Sequence, residues 1–337
     1  MRIGITFDLK TDPPPGEDFG GRHPDDWQEE FDSPATIEAI AAVLRGLGHV
    51  VELLGDGREL LEQLLPDPPD FVFNMAEGQG VSRTREARVP AVLEMLGIPF
   101  TGSDPLTLAV TLDKDCAKRL VQAAGLAVPL GFVVEDRDWK IGDQLSFPVI
   151  VKPAWEGSSK GIRSNCLVST ADELASAIES LQSDHRQPVL VEEFIEGDEL
   201  TVGILGNDPP EILGIMRVLP RQPAPRFIYS LDVKRDFKQQ VRYECPARVP
   251  LESLEGVGRA AQTVFQALGC RDVARVDFRL RDGVPYFLEV NPLPGLNPES
   301  SDLVIMARLC GWSYEKLIET ILDAAMKRQR SVVSCQW

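Results

Sequence analysis

Short apolar runs alternate with amphipathic segments through the first 97 residues of the chain. Ser33 followed by Pro34 predicts a helix start, with serine as the N-cap and proline in the first turn, and Arg58–Leu65 predicts a second helix. The apolar runs predict strands at Ile3–Phe7, Val50–Leu54 and Phe71–Asn74. Strands that alternate with helices are typical of a parallel α/β sheet.

The rest of the chain carries longer helical patterns and a second set of strands. Helices are predicted at Arg85–Leu96, Pro105–Thr111, Asp113–Ala124, Leu251–Leu268 and Tyr314–Ala325. Strands are predicted at Pro148–Lys152, Val189–Glu193, Leu200–Leu205, Ile212–Val218, Val273–Leu280 and Tyr286–Val290. Residues 11–32, rich in Pro, Gly and Asp, are predicted to form a long loop. We expect an α/β protein, α+β overall, with two or three domains in its 337 residues.

Charge and composition limit the classes of function that the chain could have. The 35 basic and 52 acidic residues give a net charge of −17, which disfavours nucleic acid as a partner and requires a local basic pocket for any anionic substrate. The six cysteines contain no C-x-x-C pair, so neither a zinc site nor a redox motif is indicated. The N-terminus lacks the apolar core of a signal peptide, and no apolar run reaches the roughly 18 residues that span a bilayer. We therefore expect a cytoplasmic protein without membrane association.

The strongest chemical signal is a pair of strands near the C-terminus joined by the turn Arg281-Asp282-Gly283. Asp277 and Glu289 are expected to project from the two strands, with Asn291 on the same face as Glu289. Such oxygen ligands suit Mg²⁺ that also binds phosphates. Arg275, two residues before Asp277, faces the same way and suits a phosphate or a developing oxyanion. A strand with solvated charges is the alternative, but four polar groups at period two in apolar strands favour a site.

Two further segments suit a nucleotide. Lys152 ends an apolar strand and precedes the loop Glu156-Gly157-Ser158-Ser159-Lys160-Gly161, whose small residues let backbone N–H groups approach phosphate oxygens. The loop is not a P-loop, because G-x-x-x-x-G-K-[ST] is absent from the sequence. Glu199 begins a strand after Glu192–Asp198 and is placed to accept hydrogen bonds from ribose hydroxyls. A charged hairpin tip is an equally good interpretation of that segment.

In their order along the chain, these motifs resemble the ATP-grasp ligases, and most closely the D-alanine–D-alanine ligases. The resemblance covers nearly the whole chain and rests on Gly97–Ser103, Asp113-Lys114, Lys152-Pro153 with Glu156–Ser159, Glu192–Glu199, Arg275 with Asp277, and Glu289 to Leu296 with Ser300. It implies an ATP-grasp fold with an N-terminal parallel α/β pre-ATP-grasp domain. The implied divisions are an N-terminal substrate domain (1–97), a central subdomain with a phosphate-covering loop (98–187) and a C-terminal subdomain with metal and acceptor sites (188–330).

The resemblance also implies roles for individual residues. Those for ATP are phosphate binding by Lys114 and Lys152, a covering loop with Glu156, Ser158 and Ser159, adenine contacts from Glu192, Phe194 and Ile195, and ribose binding by Glu199. For catalysis, two Mg²⁺ ions, or Mn²⁺, are implied on Asp277, Glu289 and Asn291. Arg275 and the N–H of Gly295 are implied to stabilise the oxyanion. Ser158 and Lys234, a lysine of the family's mobile loop near the γ-phosphate, complete the implied catalytic residues. Ser300 and Ser301 are implied to bind the carboxylate of a second amino acid.

The implied reaction activates a carboxylate as an acyl phosphate, which an amine then attacks to give an amide or peptide bond, ADP and phosphate. Closure of a loop over the site excludes the water that would hydrolyse the intermediate. The substrates are small molecules, namely amino acids or peptides. Family members of this kind are usually homodimers, so a homodimer is expected.

The resemblance fails at the substrate end. The family's glutamate after the first strand is absent from Thr6–Pro15, where Asp8 and Glu17 are candidate replacements. A family loop that contains histidine is replaced by Asn74–Gly80, and Arg235 stands where a tyrosine is expected beside Lys234. The nucleotide machinery is complete, whereas the pocket for the first substrate is rewritten.

Other interpretations remain open. A ligase of the same chemistry would join D-alanine to a hydroxy acid, or an amino acid to a peptide. A non-catalytic nucleotide-binding regulator is disfavoured because Asp277, Glu289 and Asn291 are all present. A Rossmann oxidoreductase is weaker still, because Gly256-x-Gly258-x-x-Ala261 lies inside a predicted helix with no preceding strand.

Overall fold

The computed structural model describes residues 1–10, 24–136, 139 and 145–334, with side chains up to residue 330. Most of the predicted loop at 11–32 therefore lies outside the described residues, while residues 24–30 form turns. The N-terminal part is a three-stranded parallel sheet in the order β2-β1-β3. Its elements are β1 (Arg2–Phe7), α1 (Pro34–Gly46), β2 (Val50–Gly55), α2 (Gly57–Leu64), β3 (Phe71–Met75) and α3 (Arg88–Leu96). The predicted α/β arrangement is confirmed, with Ser33 accepting from the Thr36 N–H as the N-cap of α1.

Two capped helices connect this sheet to the rest of the molecule. In α4 (Pro105–Leu112) and α5 (Lys114–Ala123), the caps Asp104 and Asp113 accept hydrogen bonds from backbone N–H groups in the first turn. The cap at Asp113 places Lys114 at the first helical position, where its side chain is buried. Both helices were predicted to within a residue or two.

The middle sheet is four-stranded and antiparallel, in the order β4-β7-β5-β6. Its elements are β4 (Gly131–Val134), β5 (Val149–Pro153), β6 (Leu167–Val168), α6 (Ala171–His185) and β7 (Val189–Glu193). The sequence prediction missed β4, β6 and α6. The division into three domains stays a prediction, but pairing of β7 with β4 and β5 favours a boundary after Glu193 over the predicted one after residue 187.

The C-terminal sheet has five antiparallel strands in the order β10-β9-β8-β11-β12. Its elements are β8 (Asp198–Leu205), β9 (Glu211–Pro220), α7 (Leu231–Arg235), α8 (Phe237–Gln240), β10 (Val241–Glu244), α9 (Leu251–Ala267), β11 (Val273–Arg281) and β12 (Val284–Asn291). The predicted hairpin between β11 and β12 is confirmed. Asp282 and Gly283 both take positive φ (53° and 80°), as a tight two-residue hairpin turn requires.

The last two helices, α10 (Asp302–Leu309) and α11 (Tyr314–Ser334), join the N-terminal and C-terminal sheets. The predicted apolar stripe of α11 is buried, at Leu317, Ile318, Ile321 and Leu322, in one core with residues of α1, β1 and β3 and with Val273 of β11. The described helices include none with both the length and the apolar character needed to cross a bilayer.

The β11–β12 hairpin provides a test of this packing. Phe287 is fully buried and faces Phe278 edge-on, with ring centroids 6.2 Å apart. We expect Phe287→Ala to lower the free energy of unfolding by about 3–5 kcal/mol in urea denaturation, through lost contacts and a cavity. Val284→Thr, at an exposed position of the same strand, should change it by less than about 0.5 kcal/mol. Equal effects of the two substitutions would contradict the packing described here.

Candidate active site at the junction of three sheets

The carboxylates of the C-terminal hairpin meet as predicted. Asp277 lies directly opposite Glu289 in the β11–β12 register, and Arg275 lies opposite Asn291. The Arg275 guanidinium donates to Asp277, with Nη2 2.9 Å from Oδ2. It also lies 4.0 Å from Glu289. Asn291 Nδ2 donates to Asp277 Oδ2 at 3.4 Å. Four polar side chains are therefore brought together on one face of the hairpin.

Cations surround Glu289. Lys114 Nζ is 3.3 Å from its carboxylate. Burial alone would raise the pKa of Glu289, but the positive charges of Lys114, Lys234, Lys152 and Arg275 outweigh it and lower the pKa to about 2. Glu289 is therefore ionised throughout the neutral pH range.

A fully buried carboxylate, Glu192 on β7, lies between two lysines. Lys152 Nζ is 2.5 Å from Glu192 Oε1, and Lys118 Nζ is 2.5 Å from Oε2. Burial opposes ionisation of Glu192, yet the two lysines hold its pKa below the usual value. Glu192 thus positions Lys152. Sequence reasoning missed Lys118, although its position one helical turn after Lys114 on α5 is a readable signal.

A cavity between the middle and C-terminal sheets, here called the inter-sheet cavity, has an apolar end and a charged end. The apolar end is lined by Ile150, Phe194, Ile195, Leu200 and Leu288, and the charged end by Lys152, Lys234, Glu192, Asp277 and Glu289. Glu199 lies on its wall and pairs with Arg279 at 2.7 Å. The Arg279 guanidinium lies 4.9 Å from the centre of the Phe194 ring. A flat apolar base at one end and an anionic group at the other would fit these surroundings.

A second cavity adjoins the first, and Glu289 lines both. Beyond Glu289, its walls include Lys114, Ser158, Arg275, Asn291 and Gly295. Three glutamates that the sequence reasoning had not selected, Glu30, Glu77 and Glu86, line it as well. The predicted phosphate, metal and oxyanion residues are thus brought to the junction of two cavities.

The loop Glu156–Gly161 lies over this junction in an unusual backbone conformation. Ser158 and Ser159 have φ of 48° and 59°, a region that non-glycine residues rarely adopt. Lys114 Nζ donates to the carbonyl of Glu156. Ser159 Oγ donates to the Tyr229 carbonyl at 3.3 Å, and the Gly161 N–H donates to Asp26 Oδ2 at 2.8 Å. These contacts hold the strained turn in place.

Residues 25–30, called the acidic segment, pack against the loop Glu156–Gly161, here called the covering loop. Glu30 accepts from the Gly157 N–H at 2.5 Å, from Arg85 at 2.6 and 2.7 Å, and from Lys160 at 3.1 Å. Burial opposes ionisation of Glu30, but Arg85 and Lys160 hold its pKa far below the usual value. The sequence prediction assigned this segment only to a loop.

The acidic segment also binds the second covering element, α7. Arg235 pairs with Asp25 at 2.6 Å and with Glu29 at 2.7 Å. Arg163, which follows the first covering loop, also pairs with Asp25 and with Asp232 of α7. Arg235 thus points toward the acidic segment, whereas its neighbour Lys234 lines the inter-sheet cavity.

Not every predicted residue lies at the junction. Ser300 is exposed, and Ser301 Oγ accepts from the Asn297 N–H at 2.8 Å. Neither serine lines the two cavities described here, so their acceptor role stays a prediction. Asp8 accepts from the Gly78 N–H at 2.8 Å and lines neither cavity, and Glu17 lies outside the described residues.

Comparison with known proteins agrees with the geometry. Residues 120–323 match the family model described as D-ala D-ala ligase C-terminus. The chain is 36% identical to a D-alanine–D-alanine ligase of Syntrophotalea carbinolica, over 87% of this chain and 91% of that protein. It is 37% identical to an uncharacterized protein, y4sG, of Sinorhizobium fredii, over 86% of this chain and 87% of the other.

Solved structures agree as well. The crystal structure of a Bacillus anthracis D-alanine–D-alanine ligase complexed with ATP superposes with a TM-score of 0.74 at 25% identity, over 98% of this chain and 99% of that one. The fold is therefore the expected α/β ATP-grasp fold. The chain belongs to the D-alanine–D-alanine ligase family and is an ATP-dependent ligase that forms carbon–nitrogen bonds.

Proposed function

We propose that the protein joins the carboxylate of one amino acid to the amine of a second amino acid or peptide, with ATP consumed through an acyl-phosphate intermediate. The observation that carries this proposal is the junction at Glu289, where the inter-sheet cavity meets a cavity lined by Arg275 and Gly295. Two D-alanines, the pair that the named relatives imply, are the reference substrates. The replaced residues around the second cavity favour a different first substrate.

ATP is assigned to the inter-sheet cavity. The base is placed at the apolar end, against Phe194 and Ile195, with the ribose near Glu199. The phosphates are placed at the charged end, near Lys152 and Lys114, under the loop that contains Ser158 and Ser159. The backbone carbonyl of Glu156 accepts a hydrogen bond from Lys114, and the carboxylate of Glu192 forms an ion pair that positions Lys152.

The hairpin fits two Mg²⁺ ions, or Mn²⁺, by the chemistry of its donors. Asp277, Glu289 and Asn291 offer hard oxygen atoms on neighbouring strand positions where the cavities meet. Glu289 is held ionised, as a metal ligand must be. When bound there, such ions neutralise charge on the phosphoryl group.

The chain's own residues account for the rest of the mechanism. An oxygen of the substrate carboxylate attacks the γ-phosphorus, and ADP leaves. The amine then attacks the acyl carbon, where Arg275 and the Gly295 N–H stabilise the oxyanion until phosphate departs. Lys234 on α7 and the loop at Ser158 close over the site and exclude water, since water would hydrolyse the acyl phosphate.

A substrate screen tests the proposal. Phosphate release is measured with ATP and Mg²⁺ for D- and L-amino acids, hydroxy acids and dipeptides in all pairs, and products are identified by mass spectrometry. Turnover that depends on both an acid and an amine supports the ligase. Preferred ester formation would favour the ligase that uses a hydroxy acid, and binding of ATP without turnover of any pair would favour a regulator.

Glu289→Gln keeps the shape of the side chain but removes its charge. We expect kcat to fall by about 100-fold or more, since loss of phosphoryl charge stabilisation costs several kcal/mol and each 1.36 kcal/mol is tenfold. Glu255→Gln on the exposed face of α9 is the control and should retain full activity. Full activity of Glu289→Gln would remove this residue from the site.

Lys118→Met removes one of the two cations on Glu192. Without Lys118, the Glu192 carboxylate would pair more strongly with Lys152 and draw it away from phosphate. We therefore expect the KM for ATP to rise about tenfold, with a smaller change in the KM of either amino acid. Arg119→Met, at an exposed position next along α5, should leave both constants unchanged. A rise confined to the amino acid KM would show that Lys118 does not act on the nucleotide.

Arg235→Gln breaks the ion pairs between α7 and the acidic segment. Two partly exposed pairs contribute about 1 kcal/mol together, so we expect about a fivefold rise in phosphate released per bond formed, as water enters the loosened site. Arg242→Gln on β10, whose pair with Glu244 lies away from the acidic segment, is the control. An unchanged ratio of phosphate to product would show that closure does not depend on Arg235.

A further inference from the structure

The three glutamates of the second cavity lie unusually close together. One carboxylate oxygen from each of Glu30, Glu77 and Glu86 lies within 4.8 Å of the others. Glu86 is buried, with 7% of its surface exposed, and Glu77 is partly buried. Proximity of like charges in a buried site is costly unless something neutralises them.

Of the three, Glu30 is neutralised by described residues of the chain. Glu30 and the neighbouring Glu156 are balanced by Arg85 and Lys160, which lie between 2.6 and 3.4 Å from them. Both oxygens of Glu30 accept two hydrogen bonds each, from Arg85, Lys160 and the Gly157 N–H. Glu30 therefore has little capacity left for a ligand.

Glu77 and Glu86 have no such partners. Within the part of the chain that the structure describes, no hydrogen bond or ion pair reaches either carboxylate, although both line the cavity. Burial, together with repulsion from Glu86 and Glu30, raises the pKa of Glu77 well above its usual value. Burial raises the pKa of Glu86 to about 7, although Arg85 and Lys114 act against it. The two carboxylates are therefore available to a cationic ligand, which would favour their ionised forms.

The position of this pair indicates the kind of cation. The same cavity contains Arg275, Lys114 and Gly295, where the carboxylate to be activated is placed. A molecule that spans the cavity thus presents a carboxylate at one end and positive charge at the other. The α-ammonium of a neutral amino acid would balance one glutamate and leave the other buried and unpaired.

Resting on the proposed function, we propose that Glu77 and Glu86 bind the two positively charged groups of a basic amino acid, which is the donor that this enzyme activates. The α-ammonium pairs with one carboxylate and the side-chain cation with the other. D-Alanine lacks the second charge and is a poor donor on this account. A divalent metal ion is less suited, because the third carboxylate, Glu30, is already saturated.

Hydroxylamine replaces the acceptor in the test, because it traps the acyl phosphate as a hydroxamate and so reports the donor alone. Donors are compared as isosteric pairs in both chiral forms: ornithine with norleucine, lysine with 2-aminoheptanoic acid, and alanine as the reference. We expect the basic member to exceed its neutral isostere in kcat/KM by at least about tenfold, the ratio typical of a hydrogen bond to a charged group.

Two variants test whether Glu77 and Glu86 cause the preference for a basic donor. Glu77→Gln and Glu86→Gln should each reduce the preference for the basic member several-fold, whereas Glu94→Gln, at an exposed position of α3, should leave it unchanged. Thermal unfolding of each variant shows whether it is folded.

The outcomes separate the two claims. Hydroxamate formed equally well or better from neutral amino acids would overturn the inference and leave the ligase intact. A basic preference that survives both glutamine substitutions would overturn the assignment to Glu77 and Glu86. Absence of both ADP and hydroxamate with every donor would contradict the proposed function, and the inference with it.

Discussion

The half-buried charge at Glu289 is the constraint on which the site depends. A carboxylate with such low exposure is stable only because Lys114 and Arg275 lie beside it and other cations lie nearby. These cations come from α5, β5, β11 and α7, so the charge balance requires all of those elements to pack in one arrangement. In a chain with a net charge of −17, the same balance supplies the local positive field that an anionic nucleotide needs.

The acidic segment links this charge centre to closure of the site. Glu30 is buried against Arg85 and Lys160, whereas the pairs of Asp25 and Glu29 with Arg235 are partly exposed. Buried pairs of this kind are costly to break, whereas exposed pairs are weak and sensitive to salt. In the proposed mechanism, the segment would keep the loop Glu156–Gly161 fixed while α7 opens and closes. A ligase needs both properties, because water must stay out during acyl transfer and products must leave afterwards.

Sequence reasoning found the residues whose spacing is local. Asp277, Glu289 and Asn291 follow from period-two strands around a tight turn, and Lys152 follows from its position at a strand end. The partners of Glu30 could not be found in this way, because Arg85 and Lys160 are 55 and 130 residues away in the chain. Glu77 lies in a stretch whose only sequence signal was a missing family motif, and Glu86 lies at the start of a predicted helix, where the sequence gives no chemical signal. The short strands β4 and β6 carry too few residues for a periodic pattern. Glu192, predicted to contact the base, pairs with Lys118 and Lys152, and these pairs connect elements that lie far apart in the sequence.

The central claim is that a carboxylate oxygen becomes bonded to the γ-phosphorus of ATP at the junction around Glu289. Labelling both carboxylate oxygens of the donor amino acid with ¹⁸O tests it most directly. If the claim is correct, each phosphate released during bond formation carries one ¹⁸O atom, detected by mass spectrometry or by the isotope shift of its phosphorus resonance. Product formed together with unlabelled phosphate would contradict activation of the acid by phosphoryl transfer.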